Sequence, residues 1–177
     1  TDLELQRGYY NFRGTPGHEF VGEVVALGEG AAAKYGLELG DHVVSEQIVP
    51  CWNCRFCKRG QYWMCQRHDI YGFIKDRAEG SWAEYMKFPA GALNYRVPQE
   101  MPAEQAALIE PMACAIHAVQ RGDIQLGDTV VIMGAGPIGQ MLAQLARLRG
   151  ARVIAVDLLE DRLELARELG ASATLNA

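Results

Sequence analysis

Residues Thr129-Val130-Val131-Ile132-Met133-Gly134-Ala135-Gly136-Pro137-Ile138-Gly139 decide the fold of the second half of this chain. The short apolar, β-branched run over 129–133 reads as a strand buried on both faces. The glycine-rich turn after it opens a helix that is expected to run through Leu148. In G-A-G-P-I-G the first glycine permits a tight turn and the second lets the backbone approach a pyrophosphate. The third lets the helix pack closely on the strand. The helix N-terminus offers N–H groups and partial positive charge to phosphates, and Pro137 falls in its first turn, where a missing N–H costs nothing. Gly134, Gly136, Pro137, Ile138 and Gly139 are therefore the expected cradle of a dinucleotide. A second buried strand is predicted over 152–156. Asp157 closes it 18 residues beyond Gly139, where a carboxylate accepts hydrogen bonds from an adenosine ribose and repels a 2′-phosphate, favouring NAD over NADP. Arg162, a helical turn further on, is also a cofactor-binding candidate and keeps NADP open. Leu163, Ala166 and Leu169 line a second helix ended by Gly170, and Thr174 and Leu175 open a third strand.

Upstream of about residue 110 the texture differs. Apolar stretches over 20–27, 42–49 and 80–88 read as short strands separated by turn residues, as in a small β-rich barrel or sandwich. A helical pattern follows over 102–121, with Ala106, Ala107, Ile109 and Ala113 on spacings that can share a face. No internal repeat or low-complexity segment is present.

Four of the five cysteines lie within 15 residues: Cys51, Cys54, Cys57 and Cys65, in C-x2-C-x2-C-x7-C spacing. Four thiolates on a short loop can enclose one Zn²⁺ tetrahedrally and leave no open position, which makes the site structural. The segment 50–67 has few apolar residues, so metal binding is expected to supply its folding energy. Lys58, Arg59 and Arg67 would offset the negative charge. A disulfide framework would spread its cysteines more widely. A ferredoxin-type cluster would continue with x3-C-P, which is absent. Cys114, set apart in the helical region, is expected to be a buried small hydrophobe.

Composition narrows the function classes. With 49% hydrophobic residues among 177, the chain can bury the core of one domain or two small ones. A net charge of −5 without a basic run argues against nucleic acid or an anionic membrane as partner. No stretch approaches the roughly 18 consecutive apolar residues of a membrane span. Clustered thiols suit a reducing, cytoplasmic compartment.

Gly17-His18-Glu19 precedes a predicted strand, and G-H-E-x2-G-x5-G spans Gly17 to Gly28. This pattern, followed by the four-cysteine lobe and then G-x-G-x-x-G, resembles the zinc-dependent medium-chain alcohol dehydrogenases over essentially the whole chain. The resemblance implies an α/β plus β architecture: a GroES-like β-barrel catalytic domain over 1–110 with a zinc lobe at about 50–67, then the first half of a Rossmann domain over 111–177. It implies two Zn²⁺ per full-length subunit, one structural and one catalytic, with NAD as hydride acceptor. Thr1-Asp2 resembles the tail of the segment carrying the family's catalytic-zinc cysteine. Thr1 would then relay the alcohol proton, and Asp2 would orient the zinc-bound histidine. His18 would be that ligand and Glu19 the adjacent carboxylate.

At the third ligand position, Glu110-Pro111 is the acidic version found in polyol and threonine dehydrogenases, where classical alcohol dehydrogenases place a cysteine. Whether Glu110 or Glu19 binds metal directly stays open. Segments 46–51 and 109–117 most resemble dehydrogenases of four-carbon polyols such as erythritol and threitol. Glu4 stands where many relatives carry a relay histidine. The implied reaction is hydride transfer from a secondary alcohol of a polyol to NAD, giving the ketose, in a homo-oligomer (tetramer or dimer). Gln47 and Tyr71 are candidate contacts for further hydroxyls. An L-threonine-type dehydrogenase and a non-catalytic zinc-binding module are the alternatives. Both ends interrupt motifs, so the sequence reads as part of a longer chain and is expected to be inactive alone.

Overall fold

The computed structural model describes residues 2–8, 14–73 and 79–177. The chain divides into two compact units, Thr1–Glu110 and Pro111–Ala177. In the first, α1 (Asp2–Gln6) is followed by β1 (Gly22–Glu23), α2 (Ala31–Tyr35), β2 (His42–Ser45), β3 (Ile48–Val49), β4 (Asp69–Ile70), β5 (Asn94–Arg96) and α3 (Ala103–Ala106). Two small antiparallel sheets result. One has the order β1-β2-β5, with Gly22 opposite Val43 and Val43 opposite Arg96. The other pairs β3 with β4, with Ile48 opposite Ile70.

Small apolar clusters hold these sheets. Val49, Tyr71 and Ala92 pack with Phe20, Met86 and Phe88. Val24, Leu37 and Val43 form a second cluster, and Val44, Val97 and Ala106 a third. Tyr71 is fully buried with its hydroxyl 3.4 Å from Ser45 Oγ, and burial pushes its phenol up to about 12. It is a core residue, which corrects its assignment as a substrate contact.

The strands are shorter than the sequence suggests. Of 20–27 only Gly22–Glu23 is regular, although Val24 N–H still donates to Asp41 O and Gly40 N–H to Val24 O, both at 2.9 Å. The expected strand over 80–88 does not form. Gly80, Ser81 and Trp82 instead donate their N–H groups to Thr15, Gly17 and Pro16 carbonyls at 2.8, 3.0 and 2.9 Å. The pairing cannot extend as a ladder because Pro16 has no N–H to return and Gly17 has φ +102°.

The helical region 102–121 is broken into α3 and α4 (Ile109–Arg121). Pro111 accounts for the break: its ring collides with the carbonyl four residues earlier, at Ala107, so it is tolerated only in the first turn of a new helix. Pro111, Ala115 and Val119 form the buried stripe of α4. Cys114 lies off that stripe and is exposed, contrary to expectation.

In the second unit β6 (Thr129–Met133), α5 (Pro137–Leu148), β7 (Arg152–Asp157), α6 (Glu160–Glu168) and β8 (Ala173–Asn176) alternate. The three strands are parallel in the order β6-β7-β8, with Thr129 opposite Arg152 and Ile154 opposite Ala173. Ala143 and Ala146 of α5 pack on Ile132 and Val153. Leu163 and Ala166 of α6 pack on Ala135 and Ala155. β6 is buried on one face only: Ile132 points inward, while Val131 and Met133 remain 55% and 76% exposed. Side chains alternate along the strand, and within this chain α5 covers only one set.

Gly139 sets how close α5 comes to the turn. A Cβ there would lie 1.9 Å from Gly134 O, a backbone atom with no rotamer to yield. Alanine would gain about 1 kcal/mol of helix propensity, but overpacking costs about 3 kcal/mol. Gly139→Ala is therefore expected to destabilise the second unit by about 2 kcal/mol in chemical denaturation, and an unchanged midpoint would refute the contact.

Candidate functional site

The lobe after β3 reverses direction at once. Trp52 adopts φ +56°, a left-handed conformation that costs a non-glycine residue about 1–2 kcal/mol. Its indole N–H donates to Gly91 O at 2.7 Å, which anchors the reversal. Short 3-10 turns at Cys57–Arg59 and Tyr62–Met64 then fold the loop back. The ligand atoms of Cys51, Cys54, Cys57 and Cys65 all lie within 4.8 Å of one another. Cys54 Sγ is 3.5 Å from Cys57 Sγ and 3.9 Å from Cys65 Sγ. A tetrahedral zinc with Zn–S bonds of about 2.3 Å needs sulfurs about 3.8 Å apart, so the quartet fits the ion.

Backbone N–H groups prepare these sulfurs for negative charge. Cys51 and Arg67 N–H donate to Cys65 Sγ at 3.3 and 3.4 Å, and Asn53 N–H to Cys51 Sγ at 3.5 Å. The Cys57 and Gln66 amides pull the Cys54 thiol down to about 6, and the Asn53 amide lowers Cys51. Burial pushes Cys57 up to about 12, so it is the thiol that most needs a cation to ionise. Lys58, Arg59 and Arg67 are exposed, and the close electrostatic support is from the main chain.

A second cluster forms around His18. Ligand atoms of His18, Glu19 and Glu110 lie within 4.8 Å of one another. Glu110 is in the first turn of α4, and His18 follows Gly17 in the loop stapled by residues 80–82. His18 Nδ1 and Asp2 Oδ1 are buried, lack hydrogen-bond partners and face each other at 3.5 Å. The ring of Phe73 meets the imidazole edge-on at 4.9 Å. One histidine and two carboxylates form a donor set suited to Zn²⁺, with an acid placed to orient the imidazole. Thr1 lies outside the described residues. Glu4 takes the Arg7 guanidinium at 2.6 Å on the surface.

Close backbone contacts at three glycines set this loop. A Cβ on Gly72 would lie 2.5 Å from Gly17 N, one on Gly80 2.2 Å from Pro16 O, and one on Gly17 2.5 Å from Ser81 Oγ. Gly72 and Gly80 carry no metal-site signature of their own. Only their contacts reveal them.

In the second unit Gly134, with φ +94°, makes the turn from β6. Among the described residues a Cβ at Gly136 would meet only Arg162 Nη1, at 4.0 Å. Its openness suits approach by a ligand. Pro137 is at the start of α5, and Ile138 beside it is exposed. Asp157 Oδ2 accepts from Ala135 N–H at 2.7 Å and Oδ1 from Leu159 N–H at 3.0 Å; Arg162 Nη1 is 3.5 Å from Oδ2. The Leu159 and Ala135 amides, then the Arg162 charge, hold this carboxyl below its ordinary value of 3.8.

Two outcomes test these assignments. Cys57→Ser should cost one zinc ion per chain by elemental analysis and open 50–67 to protease; full zinc retention would show the quartet is not the site. Because Asp157 has a depressed pKa, its stabilisation is complete above pH 3.8 and is lost as pH falls through the folded value. The melting-temperature gap between wild type and Asp157→Asn should therefore be widest near neutrality and close in acid. A gap that is constant with pH would contradict this.

Residues 1–99 match the alcohol dehydrogenase GroES-like domain, and residues 137–177 match the zinc-binding dehydrogenase family. An erythritol/L-threitol dehydrogenase of Mycolicibacterium smegmatis is 54% identical over 91% of this chain and 44% of its own length. An L-threonine 3-dehydrogenase of Idiomarina loihiensis is 40% identical over 90% of this chain and 45% of its own. An alcohol dehydrogenase from Escherichia coli CFT073, solved with NADH, superposes with a TM-score of 0.86 at 31% identity, covering 98% of this chain and 50% of that one. The chain spans less than half the length of these curated relatives. It belongs to the zinc-binding medium-chain alcohol dehydrogenase family, with a GroES-like domain leading into a Rossmann-type nucleotide-binding domain.

Proposed function

We propose that the full-length protein oxidises a secondary alcohol of a polyol to the ketose with NAD as acceptor. Residues 1–110 would form its catalytic domain and 111–177 the first part of its cofactor domain. The observation that carries this reading is the meeting of His18, Glu19 and Glu110 within 4.8 Å, with an acid where classical alcohol dehydrogenases use cysteine. The lead in identity of the erythritol/L-threitol enzyme over the threonine enzyme, 54% against 40%, favours a polyol.

Bound zinc would supply Lewis acidity toward the alcohol oxygen, and NAD would take the hydride. The chain's own residues do the positioning. Asp2 Oδ1, 3.5 Å from His18 Nδ1, would orient the imidazole so that its other ring nitrogen serves as ligand. Glu19 and Glu110 provide carboxylate oxygens, one directly or through water. Thr1 is assigned the proton relay, a role that Glu4, held by Arg7, does not fill. Asp157 faces the adenosine ribose, and its charge disfavours a 2′-phosphate. Gly134, Gly136, Pro137, Ile138 and Gly139 cradle the pyrophosphate, with Arg162 beside them.

We further assign the protein to the cytoplasm as a homo-oligomer, a dimer or tetramer. No helix among the described residues is long and apolar enough to cross a membrane.

NAD reduction by the full-length protein with erythritol, threitol, sorbitol, xylitol and threonine tests the reading. Highest kcat/KM is expected on a four-carbon polyol, with two zinc ions per chain and at least a 100-fold loss in His18→Ala. Preference for threonine would transfer the protein to the alternative branch. One zinc and no turnover would leave a binding module.

A further inference from the structure

Gln140 is a buried polar residue in the first turn of α5, 7% exposed. Its Nε2 donates to Ala135 O at 2.9 Å and to Arg162 O at 2.8 Å. Both neighbours are carbonyls, so only the amino group can face them, which fixes the amide's orientation. Its Oε1 is left buried without a hydrogen-bond partner. A buried unsatisfied acceptor is destabilising, whereas an apolar side chain of the same shape avoids that penalty. Packing alone gives no reason for an amide here.

The geometry of the turn supplies one. The Ala135 carbonyl and the Gly136 N–H belong to one planar trans peptide and point in opposite directions. Drawing the carbonyl in toward Gln140 therefore turns the Gly136 N–H away from that side chain. The preceding peptide is held independently, since Asp157 Oδ2 takes Ala135 N–H at 2.7 Å. Through its second bond Gln140 also grips the first turn of α6 at Arg162, whose guanidinium lies beside Asp157.

We infer that Gln140 is a positioning residue: it aims the Gly136 N–H at the cofactor pyrophosphate and holds the Arg162 turn of α6 against the glycine-rich loop. This rests on the NAD reading above. Gln140 touches no cofactor atom itself and acts through the peptide it orients.

The test compares full-length wild type with Gln140→Met, which keeps the volume without the donors, and Gln140→Glu. Calorimetric titration with NADH and with ADP-ribose is the readout, alongside zinc content and melting temperature. Gln140→Met is expected to weaken both ligands about tenfold, the equivalent of one net hydrogen bond, with zinc content unchanged. A protonated glutamic acid can donate to one carbonyl, whereas its ionised form repels both. The affinity of Gln140→Glu should therefore approach wild type at low pH and fall as pH rises, while wild type stays flat. Wild-type affinity in Gln140→Met, or a pH-independent Gln140→Glu, would overturn the inference even if melting temperatures drop. Failure of the wild type to bind either ligand would overturn the NAD reading, and this inference with it.

Discussion

Both units depend on backbone meeting backbone at distances that no Cβ permits. Gly139 rests on the Gly134 carbonyl, Gly72 on the Gly17 amide, and Gly80 on the Pro16 carbonyl. The first contact brings the start of α5 onto the turn where phosphates are expected. The other two fix the loop that carries His18. Once main chains are this close, neighbouring side chains have little choice of direction, which is the preorganisation a metal or phosphate site needs. The residues that bear the chemistry are thus held in place by residues that bear none.

The metal clusters divide the electrostatic work differently. The cysteine lobe is closed, its four sulfurs surrounded by one another and by main-chain N–H donors. The His18 cluster is asymmetric, with a half-buried Glu110, an exposed Glu19 and a half-buried Asp2–His18 pair whose facing atoms are buried. A closed thiolate set suits an ion that stays for folding, and an open mixed set suits one that exchanges a ligand.

Much of this was legible from the residues. The cysteine spacing names its own ion because a short loop can bring four thiolates together in few ways. The strand–turn–helix around Gly134 is local in sequence, and β6, α5 and β7 fall where the apolar periodicity puts them. What escaped is non-local. Tyr71 reads as a polar contact until it is seen packed with Val49 and Ala92, and Cys114 reads as core until the buried stripe of α4 falls on Pro111, Ala115 and Val119. Residues 80–82 look like a strand but find an irregular partner at 15–17. Gly72 and Gly80 lie more than 50 residues from Gly17 and Pro16, and no spacing rule connects them. The importance of Gln140 appears only when both carbonyls it serves are seen.

The attachment of the zinc lobe through Trp52 has an optical consequence. The indole is held by the Gly91 carbonyl on one side and lies 5.9 Å from the Tyr62 ring, which in turn lies 5.5 Å from Trp63. Energy absorbed by Tyr62 passes efficiently over such separations, so the lobe is a compact antenna feeding two emitters. Loosening the loop disperses the trio and releases the Trp52 indole from the Gly91 carbonyl. The intrinsic emission of this region is thereby tied to the integrity of the metal lobe, without any label being attached.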